Sequence, residues 1–141
     1  MNILFFLTPK AMCAYIDSGD TLRQAMERME HSGFAALPVL DKNGKYCGVI
    51  TEGDLLWTCK RLCMMDMRQT EEHSIDEIEH RRSVQPVRVD TRIEDLITVA
   101  ADQNFVPVVD DKGDFIGIVT RSRILKYYLE AGIAKTGEDF S

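Results

Sequence analysis

Apolar residues along this chain follow two periods that alternate, and the alternation occurs twice. In TLRQAMERMEHSGF they fall at Leu22, Ala25, Met26 and Met29, the three-to-four spacing of one helical face, and Gly33 follows as a stop signal. FAALPVLDKNGKYCGVITEGDLL then reads as an apolar strand, a turn at Asp41-Lys42-Asn43-Gly44, a second strand, and a helix that begins after Thr51. The order returns downstream, with a helical stripe at Ile93, Leu96, Ile97 and Ala100. It is followed by QNFVPVVDDKGDFIGIVTRSRIL, whose turn is Asp110-Asp111-Lys112-Gly113. Before each helix lies a short extended piece, CAYID or PVRVD, closing on an aspartate that can turn the chain. The predicted unit is β-α-β-β-α, present twice.

Setting Pro38 on Pro107 aligns the two hairpins from Phe34 to Leu56 and from Gln103 to Leu125 without a gap, at an offset of 69. The spacing from Leu22 to Pro38 exceeds that from Ile93 to Pro107, so the second copy has a shorter helix or loop. One charge is reversed within the matched frame: GVITEGDLL carries Asp54 where GIVTRSRIL carries Arg123. Between the copies, DMRQTEEHSIDEIEHRRS is strongly charged, the composition of a solvated connector, with Ser74 and Glu77 placed for a capping box on a short helix across Ile75 to His80. The expected organisation is residues 1–66 as a first repeat with its N-terminal segment, 67–83 as connector, 84–130 as second repeat and 131–141 as a frayed tail. A unit of this kind does not cover both faces of its small sheet alone, so the two copies are expected to pack about a pseudo-twofold axis, with a pair of related clefts between them.

Composition narrows the function. The 141 residues are 45% hydrophobic, enough to bury a core in one domain or two small ones. With 17 basic against 23 acidic residues the net charge is −6, which opposes diffuse binding to DNA, RNA or an anionic membrane. In MNILFFLTPK no positive residue precedes the short apolar run, which is expected to belong to the fold and not to a secretory leader. No apolar run approaches the roughly 20 residues that cross a bilayer. Cys13, Cys47, Cys59 and Cys63 are scattered through predicted core elements, as in a protein of a reducing cytoplasm. Cys59 and Cys63 share a helical face, with His73 and His80 as distant candidates for a metal site. No CxxC or HxxxH accompanies them, and cysteines beside Met64, Met65 and Met67 more often fill an apolar face, so no metal is expected. His31, His73 and His80 sit in charged or helix-end contexts, without a nucleophile elbow, an HExxH or a GxxxxGK[ST]. Catalysis is not expected.

The segments LPVLDKNGKYCGVITEGDLL and VPVVDDKGDFIGIVTRSRIL resemble the two halves of a cystathionine β-synthase (CBS) domain pair, the Bateman module, over roughly Cys13 to Leu129. The resemblance implies an α/β (α+β) fold and a non-catalytic ligand-sensing module for adenosine-containing molecules. The Gly-x-x-Thr-x-x-Asp segment of one repeat would form each cleft with the first strand and pre-proline segment of the other. The first cleft would then use Thr51 and Asp54 with Val87, Arg88, Asn104, Phe105 and Pro107. The second would use Thr120, Arg121 and Arg123 with Cys13, Ala14, Tyr15, Phe34, Ala35, Ala36 and Pro38.

Residue chemistry separates the two. Asp54 offers acceptor oxygens to vicinal ribose hydroxyls, or simply starts a helix near the positive end of its dipole. Glu52 beside it repels a phosphate unless Arg88 or a metal ion offsets its charge, which favours a nucleoside-like or cationic adenosyl ligand there. Arg123 has no acceptor, but with Arg121 it makes a phosphate site at a helix start; the alternatives are a solvated helix face or an Arg123 that plugs the cleft. A cyclic dinucleotide suits that second cleft, and GIVTR is similar to small stand-alone CBS proteins that bind cyclic di-AMP. The ligand expected is therefore an adenine nucleotide, AMP, ADP, ATP or cyclic di-AMP, acting as a regulatory ligand with no other cofactor. Helices around Leu55 to Met65 and Ile124 to Leu129 offer apolar stripes for a disk-like homodimer, and signalling would pass to a separate regulated protein. The competing reading is a constitutive interaction module whose clefts are degenerate and empty.

Overall fold

A computed structural model describes residues 2–79 and 84–136 of the chain. Each predicted unit is present. In the first, β2 (Ile16–Asp17), α1 (Leu22–Ser32), β3 (Ala36–Leu40), β4 (Tyr46–Thr51) and α2 (Glu52–Cys63) follow in order; β1 (Thr8–Pro9) precedes them. In the second, β5 (Val87–Arg88), α3 (Ile93–Ala100), β6 (Phe105–Val109), β7 (Phe115–Thr120) and α4 (Arg121–Thr136) repeat the series. β2 and β3 run parallel with α1 as crossover, and β3 and β4 form the antiparallel hairpin; β5, α3, β6 and β7 do the same.

The local chemistry explains these boundaries. Thr21 starts α1 through a capping box with Gln24, and Gly33 ends it in the left-handed conformation at φ +73°, which lacks the Cβ penalty. α3 is the shortened helix, 8 residues against 11, and ends on Ala101 without such a glycine. Both hairpins carry a bulge at the same place, with Gly48 at φ +120° and Gly117 at φ +154° beside it.

The pseudo-twofold axis passes where equivalent residues meet. Lys45 and Asp114, 69 positions apart, form a β-bridge and a salt bridge with Nζ and Oδ1 at 2.8 Å. The rings of Tyr46 and Phe115, also equivalent, stack at 6.5 Å. A position that meets its own copy across an axis must differ between copies to form an ion pair, which accounts for lysine in one and aspartate in the other.

Two segments depart from the sequence expectation. The N-terminal stretch is part of the fold, but it packs on the second repeat: β1 pairs antiparallel with β7, and Ile3 and Phe6 are buried in the second core with Leu96, Val106 and Val119. Gly117 permits this, since a Cβ there would stand 2.2 Å from the Thr8 carbonyl oxygen. The connector is not wholly solvated. Ser74 does close its capping box with Glu77, but the helix is a 3-10 turn, Ile75–Glu77, and it turns Ile75 and Ile78 into the first core. Composition misled because a few apolar residues, correctly spaced, suffice to anchor a charged segment. Thr70 is buried there too, and the main chain bridges Ser74 to Thr21. Each core thus includes a segment from outside its own β-α-β-β-α unit. At the other end α4 continues to Thr136, beyond the expected start of the frayed tail; residues 137–141 and His80 lie outside the described residues. No helix among the described residues is long and apolar enough to cross a membrane.

Candidate functional site

Two cavities lie where the repeats face each other. The first, about 470 Å³, is walled by Ala36, Val49 and Thr51 from one repeat and by Val84, Asp102, Gln103, Asn104 and Phe105 on the other side. The second, about 380 Å³, is walled by Thr8, Met12, Cys13, Ala14 and the Phe34–Pro38 segment, facing Asn104, Phe105, Ile118, Thr120, Arg121 and Ser122. Both volumes fall in the range of small-molecule pockets, about 300–1,000 Å³. Asn104 and Phe105 line both cavities, as does Ala36.

Of the residues assigned to the first cleft, the structure brings Thr51, Asn104 and Phe105 together. Asp54 stands one turn into α2 and is bound into a capping box: the Thr51 N–H donates to its Oδ2 at 2.9 Å, and its own N–H donates to Thr51 Oγ1 at 3.1 Å. Thr51 keeps its hydroxyl proton, and Asp54 keeps its second oxygen. Val87 is buried in the second core, Pro107 is buried in β6, and Arg88 is exposed with its Nε 3.7 Å from Asp90. None of these three reaches the cavity wall.

The second cleft matches its assignment more fully. Cys13, Ala14, Phe34, Ala35, Ala36, Pro38, Thr120 and Arg121 all line it. Tyr15 lies in an adjoining groove with Arg28 and His31, where its carbonyl accepts from Arg28. Arg123 is elsewhere: it lines a notch of about 280 Å³ with Phe5, Phe6, Lys126, Tyr127 and Glu130. Neither the assignment of Arg123 to the second cleft nor its alternative as a plug there matches this position. It is the third residue of α4, its N–H donates to Thr120 Oγ1 at 3.2 Å, and its side chain runs along the helix beside Tyr127, four residues on.

Arg121 is held by α3. Its Nε donates to the Ala100 carbonyl at 2.6 Å, Nη2 to the Ala101 carbonyl at 2.7 Å and Nη1 to Asn104 Oδ1 at 3.3 Å. The guanidinium caps the C-terminus of the helix that lacks a glycine stop, a favourable place for a cation. Arg121 is the wall's cation among the described residues, and no carboxylate faces it there. In the first cleft Asp102 is on the wall, and among the described residues no lysine or arginine lines it.

Cys13 is a wall residue. Its thiol donates toward the Thr8 and Pro9 carbonyls, and burial pushes it up, which opposes thiolate formation. Cys59 and Cys63 are buried in the first core, where desolvation raises Cys63. His73 is hydrogen-bonded to Glu77. Among the described residues no group of three or more His, Cys, Asp or Glu is arranged to hold a metal ion.

Sequence reasoning missed Thr8 and Met12, because nothing local indicates that the N-terminal segment crosses to the second repeat. Asp102 and Gln103 adjoin the expected Asn104, and the shortened α3 was the available signal that this loop enters the cleft.

A family model for the CBS domain matches residues 9–59 and 75–130. The uncharacterized protein MJ1225 of Methanocaldococcus jannaschii is 27% identical over 118 residues, 78% of this chain; the chain spans 41% of that protein's length. The crystal structure of CbpB in complex with c-di-AMP superimposes with a TM-score of 0.87 at 24% identity, covering 98% of this chain and 91% of that one. That of CBSX2 in complex with AMP gives a TM-score of 0.72 at 25% identity, covering 93% and 98%.

Proposed function

Since this chain belongs to the CBS domain family, we propose that it is a non-catalytic sensor that binds an adenine nucleotide between its repeats and signals to a separate protein. The observation that carries this reading is the cavity of about 380 Å³ built from both repeats, with apolar strand walls and with Thr120 and Arg121 at one end, where α4 starts. Apolar walls suit a flat base, and a helix start with a guanidinium suits a phosphate. Similarity to the AMP-bound CBSX2 supports the ligand class, and the fold shared with CbpB, solved with c-di-AMP, keeps a cyclic dinucleotide in view.

The clefts divide the ligand's chemistry. The second takes the phosphate-bearing end through Arg121, and the first, with Asp102 on its wall, prefers a nucleoside or a cationic adenosyl group. In this reading charge separates the clefts through Arg121 and Asp102 on the walls, and not through Arg123.

The test is a thermal melt of the nucleotide-stripped protein against AMP, ADP, ATP, S-adenosylmethionine and cyclic di-AMP. A ligand at a hundred times its dissociation constant adds roughly 2.7 kcal/mol, a midpoint shift of several degrees. No shift with any member overturns the nucleotide reading.

A second reading has its own observation. Leu56 and Trp57 on α2, and Leu125, Tyr128 and Leu129 on α4, are exposed large apolar residues, with Trp57 at 60%. A homodimer through these helices is compatible with sensing, but a dimer that ignores every nucleotide would make the chain a constitutive interaction module. Sedimentation with and without the ligand separates the two.

A further inference from the structure

The Arg121 guanidinium has two commitments that compete. It holds the Ala100 and Ala101 carbonyls and the Asn104 side chain, and it forms part of the wall of the second cavity. Its present acceptors are neutral, whereas a phosphate offers charge-assisted, bidentate hydrogen bonds about twice as strong. Resting on the nucleotide reading above, we infer that Arg121 is an exchangeable clamp: a phosphate in the second cleft takes the guanidinium away from α3, and the uncapped turn carries that event to the first cleft.

The route is short. α3 ends on Ala101 in right-handed helical geometry, without the left-handed glycine that closes α1 at Gly33. Once Arg121 leaves, the carbonyls of Ala100 and Ala101 lose their side-chain donor. The next residues, Asp102, Gln103 and Asn104, are walls of the first cavity. The first repeat has no counterpart of this device, since Glu52 occupies the position equivalent to Arg121 and has no cation to offer α1. The coupling is therefore built into one repeat, and it runs in both directions: a ligand in the first cleft that fixes the Asp102–Asn104 loop changes phosphate binding in the second.

The experiment is hydrogen exchange on the full chain with adenosine and with AMP. Both protect β3 and the Thr120 region by filling the cavity. Only AMP accelerates exchange at Ala101 and Asp102, whose N–H groups donate to Ile97 and Val99, by about tenfold, the size of one hydrogen bond lost. In Arg121→Gln these amides exchange fast without ligand, and AMP adds nothing. Should that variant not fold, Arg121→Lys keeps the charge but cannot span three acceptors, and the wild-type comparison of adenosine with AMP stands alone. Cavity protection by AMP with Ala101 and Asp102 unchanged or slowed leaves the nucleotide reading in place and overturns the clamp. No protection by either compound overturns both.

Discussion

Thr51 and Thr120 stand at equivalent positions, and each closes a strand and caps a helix by accepting the N–H three residues on. In the first repeat that third residue is Asp54, which returns a hydrogen bond to the Thr51 N–H and completes a reciprocal cap. In the second it is Arg123, which has nothing to return. At their other helices the asymmetry is inverted: α1 ends on its own glycine, while α3 depends on Arg121 reaching over from α4. The first repeat is capped from within and the second is capped across elements. A cap made across elements can be shared with a ligand, and that is where the cavity with the cation is found.

Substitutions in each repeat test this asymmetry. The largest effect is expected in the borrowed core residues. Phe6→Ala and Ile75→Ala each remove a fully buried side chain, from the second and first core respectively, and each should cost about 3–5 kcal/mol in urea unfolding. A negligible loss in Phe6→Ala would mean that the N-terminal segment does not complete the second repeat. Next are the two bulge glycines. Gly117→Ala meets both a positive φ and the Thr8 carbonyl, whereas Gly48 has the positive φ on β4, which pairs with β3 alone among the described residues. The first should lose roughly 2–4 kcal/mol and the second about 1–2 kcal/mol; equal losses would deny β1 its place. Smaller again is the cap. Asp54→Ala should cost about 1 kcal/mol and Arg123→Ala less than about 0.5 kcal/mol, and the comparison at Thr51 and Thr120 fails if the order is reversed.

The smallest effect is in acid. Asp110 lies below the ordinary carboxylate range, chiefly because the Asp114 N–H donates to it, and Glu77 is lowered chiefly by its hydrogen bond with His73. A carboxyl lowered in the folded state contributes stability above its unfolded pKa, and that contribution disappears as pH falls through the folded value. The melting midpoint should therefore drop on acidification below about pH 4, the ordinary carboxylate value, and Asp110→Asn should flatten part of that drop.

The repeat itself was legible because hairpin and helix are local: period, turn residues and the threonine cap all lie within one unit. So were Cys13, Ala14, Phe34, Ala35, Ala36 and Pro38 as neighbours on the second cavity's wall, though not Tyr15, through the resemblance to CBS pairs. The rest depends on contacts between units. Nothing near Ile3 or Phe6 indicates which core they enter, and Ile75 and Ile78 are too sparse among charges to signal burial. Arg121 and Arg123 look alike in sequence, two residues apart on one helix, yet a rotation of two positions points one into the cavity and the other toward Phe5 and Tyr127. That rotation distinguishes a cavity-lining guanidinium from a surface cation, and only the packing of α4 fixes it.

On the proposed reading, a phosphate-bearing adenine ligand occupies the second cleft through Arg121. The most direct measurement is a calorimetric titration of AMP into the wild-type chain and into Arg121→Gln, with adenosine as reference. Saturable AMP binding is expected that weakens roughly 10- to 100-fold in the variant, the worth of a charge-assisted hydrogen bond, while adenosine is unaffected. Equal AMP affinity in both proteins, or no saturable binding in either, would contradict it.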